Sequence, residues 1–256
     1  MEISNFYTTT IYEKGAEVVR MYQTLLGEDA FRQGTDLYFE RHDGTAATTD
    51  DFADAMAEAG QIDLAQFKRW YEQPGTPKVQ VSEFYADGRL TLNIAQAPAD
   101  LPNAQQQQPF HMPLAMGFLA PDGASLTLSA ADIESAAATS LRDDGQTLLL
   151  GAKESTTELT ISNLQAKPVV SFLRGFSAPV KVSHERNAEE LAFLVQHDTD
   201  GFVRWDAMQT LWMSHLDASA ATTVDPVTVL GELAKGALEL ALSLIHISEP
   251  TRPYWI

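Results

Sequence analysis

Between Gly15 and Tyr71 apolar residues return every three or four positions, the spacing of helices with one buried face. Gly15, Val18, Val19, Tyr22, Leu25 and Leu26 form the first stripe, and Gly27 predicts its stop. Ala30, Phe31, Gly34, Leu37 and Tyr38 form a second. A third helix is predicted from Thr49, whose hydroxyl would cap the free amides, with Asp50 and Asp51 at the positive end of the dipole and Phe52, Ala55, Met56 and Ala59 facing inward. A fourth opens at Asp63 with Gln66 three residues on, the spacing of a capping box, and carries Leu64, Phe67, Trp70 and Tyr71. Pro74-Gly75-Thr76-Pro77 cannot continue a helix and marks a domain boundary.

From Lys78 the period falls to two. Leu90, Leu92 and Ile94 alternate with polar residues; Phe110, Met112, Leu114, Met116 and Phe118 do the same, as do Leu126/Leu128, Leu148/Leu150 and Leu159/Ile161. Short alternating runs between turn residues predict an antiparallel β-sandwich over residues 78–182, with inner faces that close on each other and need no outside partner. Pro113 inside one run predicts an edge strand or a bulge. Past Val182 helical spacing returns: Leu191, Leu194 and Val195; then Phe202, Trp205, Met208, Gln209 and Trp212; then Val229, Leu230, Leu233, Ala234, Ala237 and Leu240 behind Asp225-Pro226, a cap with proline at the first helical position. The fold class expected is multidomain α+β: helices over 1–77, a β-sandwich over 78–182 and the start of a helical domain over 183–241.

Composition narrows the function classes. The 256 residues carry 17 Lys+Arg against 35 Asp+Glu, a formal charge of -18, which repels phosphate backbones and anionic lipid surfaces, so neither nucleic acid nor membrane is expected as a partner. There is no cysteine, which removes disulfides, thiolate zinc sites and a cysteine nucleophile. The N-terminus lacks the basic-then-apolar pattern of a signal peptide, and no uncharged run reaches the ~18 residues that span a bilayer, so a cytoplasmic location is expected.

Chemistry is hard to assemble from spacing. No two of His42, His111, His184, His197, His215 and His246 stand four apart, so there is no HExxH metal helix. There is no Gly-x-Ser-x-Gly elbow and no glycine-rich phosphate loop. His184-Glu185 reads as a surface pair, and His42 as a helix-end residue beside the negative pole of the dipole.

One segment stands apart. Asn5-Phe6-Tyr7-Thr8-Thr9-Thr10-Ile11-Tyr12-Glu13-Lys14-Gly15 puts two tyrosines and a Glu-Lys pair just before an amphipathic helix. It resembles the stretch that follows the zinc site in the M1 family of metallo-aminopeptidases. The resemblance continues through Leu26-Gly27-Glu28, Leu37-Tyr38-Phe39-Glu40-Arg41-His42-Asp43-Gly44, Arg69-Trp70-Tyr71, Gly75-Thr76-Pro77, Phe176-Ser177-Ala178-Pro179-Val180-Lys181 and Arg204-Trp205-Asp206-Ala207, covering about residues 2 to 240. In that family the order is catalytic domain, β-sandwich, helical domain. The resemblance implies that Tyr12 is a catalytic tyrosine donating a hydrogen bond to the oxyanion of the tetrahedral intermediate, a role worth about 3 kcal/mol of barrier. It implies that Tyr7 lines the pocket for the first side chain of a peptide substrate, and that Glu13 acts behind Tyr12. On the residues alone, each reads more readily as a packed side chain with a satisfied polar group, and it is the resemblance that favours the functional role. The family's zinc ligands, catalytic glutamate and exopeptidase loop precede this segment, so zinc is expected in the intact parent enzyme and not in this chain, which by itself is expected to be inactive and to lack the upstream half of its catalytic domain.

Residues Leu242 to Arg252, Leu-Ser-Leu-Ile-His-Ile-Ser-Glu-Pro-Thr-Arg, resemble the in-frame translation of a transposon-end adapter used in sequencing libraries, which marks 242–256 as a non-native tail. The alternatives to an aminopeptidase fragment are a non-enzymatic protein-binding module, a β-sandwich with flanking helices, and an assembly product with no function of its own.

Overall fold

The computed structural model describes residues 10–101, 107–216 and 224–237. A π-helical turn, Thr10–Lys14, runs directly into α1 (Gly15–Leu26), which buries Val18, Met21 and Tyr22. Gly27 sits at φ 82°, conformational space open to glycine, and reverses the chain into α2 (Glu28–His42). Gly34 lets α2 lie close on α3 (Thr49–Gly60), since a Cβ there would meet Met56 Sδ at 2.7 Å. Gly34 is the buried residue of α2, and the other members of its predicted stripe are half-covered, so α2 is the outer helix of this layer.

Two helix starts differ from expectation. The cap of α3 is Thr48, one residue earlier than predicted: its Oγ1 accepts from Asp51 N, and Asp51 Oδ2 accepts from Thr48 N at 2.7 Å, closing a capping box. The fourth helix is not a full helix. Gln66 does not reach back to Asp63; its Nε2 donates to the carbonyls of Pro109 and Lys153 in the sandwich. The chain there makes a 3-10 turn, Gln66–Lys68, then one turn of α4 (Arg69–Glu72). Leu64, Phe67 and Trp70 are still buried, and Trp70 Nε1 donates to His111 O at 2.9 Å.

The sandwich has a five-stranded sheet ordered β4-β7-β2-β1-β9 and a four-stranded sheet ordered β5-β6-β3-β8. The first is built from β1 (Lys78–Ala86), β2 (Arg89–Ala97), β4 (Ile133–Ser135), β7 (Thr156–Ile161) and β9 (Lys181–His184); the second from β3 (Met112–Leu119), β5 (Ala138–Arg142), β6 (Thr147–Ala152) and β8 (Val169–Phe172). Strands β1 and β2 form a hairpin through Asp87 and Gly88, both at positive φ as a tight two-residue loop requires. One strand departs from the antiparallel expectation. β9 runs parallel to β1, with Lys78 opposite Lys181, because the chain crosses to it from β8 in the other sheet.

β3 is not an edge. It pairs with β6 on one side and β8 on the other, but β8 begins only at Met116, so Pro113 lies on the stretch with a single partner and its missing N–H is tolerated. Both faces of β3 are buried. Met112, Leu114, Met116 and Phe118 point into the sandwich, while the alternate positions hold Pro113, Ala115, Gly117 and Leu119, small or apolar because other elements cover them.

After the sandwich come α5 (Ala188–His197), α6 (Gly201–Leu216) and α7 (Pro226–Ala237). Asn187 caps α5 through Oδ1 on Glu190 N, and Asp225 Oδ1 accepts from Val227 N at the start of α7. The buried line of α6 runs through Val203, Ala207, Met208 and Leu211, displaced from the predicted stripe; Trp205 and Gln209 lie off it. Leu119 of β3 joins the core of these helices. The main core is continuous from Val18 and Tyr22 of α1 through Phe67 and Trp70 to Leu148 and Val180 of the sandwich.

Candidate functional site

The helical run that carries Tyr12 begins with a turn one residue wider than an α-turn, a deviation that recurs at functional positions. Tyr12 is 58% exposed on this turn, and Glu13 is exposed beside it. Val19, seven residues further along the same helical face, is also exposed, as is Phe39 of α2 at 59%. Tyr7 lies outside the described residues. Lys14 turns the other way: its ammonium donates to Gly75 O, tying the turn to the loop that closes the helical layer, and burial holds its pKa below the usual lysine range. Next to this anchor a cleft of about 830 Å3 opens between Lys14, Val18, Tyr38, Phe52, Trp70 and Pro74.

No group of three or more His, Asp or Glu side chains that could hold a metal ion occurs among the described residues. His111 is buried, and desolvation lowers its pKa to about 4, which makes it a neutral core residue. His184 is not half of a surface pair with Glu185. Its side chain is covered, its Nε2 lies 2.7 Å from Glu83 Oε1 across the β1–β9 pairing, and its pKa is lowered, chiefly by burial. His197 packs on Phe193 and His42 on Tyr38, so these rings serve separate places.

A cluster that the sequence did not disclose ties the segment together. Arg20, two turns along α1 from Tyr12, donates from Nη1 to Gly175 O at 2.8 Å and from Nη2 to Phe176 O at 2.7 Å, while Glu17 accepts from its Nε at 2.9 Å. The turn that receives it, between β8 and β9, holds Leu173, Gly175 and Phe176 at positive φ. Arg174 within this turn is buried. Its guanidinium donates to Ser171 Oγ, Thr147 Oγ1 and Asp198 Oδ1, and it lies where a side chain at position 117 would be: a Cβ there would stand 2.3 Å from Arg174 Cζ. Asp200 joins the same turn to α6, accepting from Gly175 N through Oδ2 and from Val203 N through Oδ1. These partners are up to 156 residues apart, so no local motif announces them.

Residues 1–71 match the peptidase family M1 domain, residues 75–185 a domain of unknown function (DUF3458) with an Ig-like fold, and residues 188–245 a further one (DUF3458_C) made of ARM repeats. The first part of the chain is thus similar to the peptidase M1 family. The chain is similar to aminopeptidase N: 40% identical to that of Escherichia coli over 86% of this chain and 24% of the relative, and 39% identical to that of Caulobacter vibrioides over 99% and 28%. The chain thus spans about a quarter of the length of these relatives. The second alignment extends past residue 242, into the tail read above as adapter-derived, which lies outside the described residues. The fold is shared with Legionella pneumophila aminopeptidase A, solved in complex with aspartic acid, at a TM-score of 0.69 and 24% identity over 97% of this chain and 25% of that one. Aminopeptidases of the M1 family are zinc-dependent, and the described residues form no zinc site. No helix among the described residues is long and apolar enough to cross a membrane.

Proposed function

We propose that this chain is the middle portion of a cytoplasmic aminopeptidase that removes N-terminal residues from peptides, and that it supplies the hydrogen-bond donor for the transition state. The observation that carries this reading is the exposed Tyr12 on a widened helical turn, inside the stretch that matches the peptidase M1 domain. An exposed phenol can donate to the carbonyl oxygen of the attacked peptide bond as negative charge develops there. Such a donor gains strength only in the transition state, so it acts on turnover rather than on substrate binding. Tyr7 would line the subsite for the first side chain, and Glu13 would support Tyr12 from behind. The exposed Val19 and Phe39 support the view that chain from outside this segment completes the face, including the groups that hold zinc and activate water.

Boundaries at residues 77, 182 and 241 are proposed for the three domain portions, with 242–256 as a non-native tail. The chain alone, given zinc, should hydrolyse no aminoacyl-anilide above a Tyr12→Phe control and should show no stoichiometric tight zinc site in calorimetry. Turnover by the isolated chain that is lost in Tyr12→Phe, or one tight zinc per chain, would show that the catalytic centre lies within it.

A further inference from the structure

Arg20 and Tyr12 lie on one continuous helical run, eight residues or about 12 Å apart along the axis. A helix is stiff over that length, so whatever fixes α1 at Arg20 also fixes the turn at Tyr12. The apolar contacts of Val18, Met21 and Tyr22 hold α1 down but are non-directional, and they tolerate small slides and rotations. Directional bonds are needed to choose one register. The guanidinium of Arg20 provides two, to successive carbonyls, Gly175 O and Phe176 O, and its carbon centre lies 5.7 Å from the centre of the Phe176 ring.

The receiving turn is itself held from several sides. Its left-handed residues, Leu173, Gly175 and Phe176, set the directions of its carbonyls. Arg174 is bonded to β6 through Thr147, to Ser171, and to Asp198 beyond α5. Asp200 receives Gly175 N, Ser177 Oγ receives Ala115 N of β3, and the Phe176 ring packs on Phe202 of α6 at 5.0 Å. The turn is therefore a fixed point where the sandwich and the C-terminal helices meet.

Resting on the reading of Tyr12 as the oxyanion donor, we infer that Arg20 is a positioning residue for it, clamping α1 to the turn at residues 173–177 and so fixing where the Tyr12 phenol stands. A displacement of about 1 Å at a reacting group is enough to cost on the order of a hundredfold in rate, and a clamp 12 Å away that is loosened rather than lost should cost about tenfold.

The test is a double-mutant cycle in the complete aminopeptidase that carries this segment, measured with an aminoacyl-anilide. Arg20→Gln removes both carbonyl bonds and the charge. It should lower kcat about tenfold with KM changed less than about twofold, while in the Tyr12→Phe background the same substitution should lower kcat less than about twofold, because nothing is left to position. Arg20→Lys, able to reach one carbonyl, should recover part of the loss. If Arg20→Gln does not yield folded protein, Glu17→Gln, which removes the carboxylate that aims the guanidinium, should give a smaller loss of the same kind. An Arg20 effect equal in the two backgrounds, or a loss confined to thermal stability, would overturn the inference. If Tyr12→Phe itself leaves kcat unchanged, the failure lies in the reading of Tyr12 and is seen as such.

Discussion

Gly117 shows how much a single position can carry. The Arg174 guanidinium occupies the space of its absent side chain, and Arg174 in turn neutralises Asp198, whose carboxylate is fully covered. Gly117→Ala must push the guanidinium away and strand a buried charge, which costs about 3–5 kcal/mol. We expect loss of at least about 3 kcal/mol in urea unfolding; a change under 1 kcal/mol would mean that the pair re-forms elsewhere. His111 gives a pH signature. Burial, aided by Lys153 and opposed by Asp63, holds its pKa at about 4 against an ordinary 6.5. The unfolded chain therefore takes up a proton that the folded chain refuses. Stability is fully present above pH 6.5 and is lost as pH falls towards 4, by up to about 3 kcal/mol. His184, also lowered, adds a loss of the same sign. Unfolding free energies at pH 7 and pH 4.5 should differ less in His111→Phe than in the parent, and an unaltered difference would contradict the assignment. Residue roles were the least legible part of the sequence. Tyr12 became a candidate only through resemblance over its whole neighbourhood, since a tyrosine before a helix is ordinary. Arg20 and Arg174 could not be found at all, because their partners are distant in sequence.

At the scale of elements, periodicity served wherever one face is buried against a single neighbour. It located α1, α3, α5 and the alternation of β2, with Leu90, Leu92 and Ile94 all covered. It misjudged places where a side chain has a second use. Gln66 reads as the far end of a capping box, yet it is taken by Pro109 O and Lys153 O, and the predicted helix shrinks to a 3-10 turn and α4. Pro113 reads as an edge signal, although β3 is central, because only one side of that stretch is paired. The two helix starts can be compared directly. Thr48 closes a reciprocal box with Asp51, so Thr48→Ala should cost about 1 kcal/mol, within the usual range for a lost cap. The Asp63 carboxylate accepts from Ala65 N and Gln66 closes no box with it, so Asp63→Ala, which leaves the backbone carbonyl that receives Lys153 in place, should cost less. Thermal denaturation of the two variants should give that order, and the reverse order would mean that the box at α3 contributes little.

At the scale of the molecule, the order helices, sandwich, helices was readable from the change of period, and the sandwich's dependence on its neighbours was not. Its inner faces do close on each other, but the outer face of β3 is covered too. Ala115 and Gly117 face the turn at 173–177, and Leu119 enters the core of α5 and α6; ahead of β3, Trp70 of the first helical layer packs on Phe110 at 4.5 Å. Sequence alternation cannot show this, because small residues on a strand look the same whether they face solvent or another element. Residues 78–184 expressed alone should therefore bind a hydrophobic dye and unfold at lower temperature than the full chain, whereas equal melting temperatures would show the sandwich to be self-sufficient. The central claim concerns Tyr12, and it is tested most directly by kcat and KM of the complete aminopeptidase with and without Tyr12→Phe. Tyr12→Phe should lower kcat by on the order of a hundredfold and leave KM within about threefold, as for a donor acting on transition-state charge. An unchanged kcat, or a loss expressed only in KM, would contradict it.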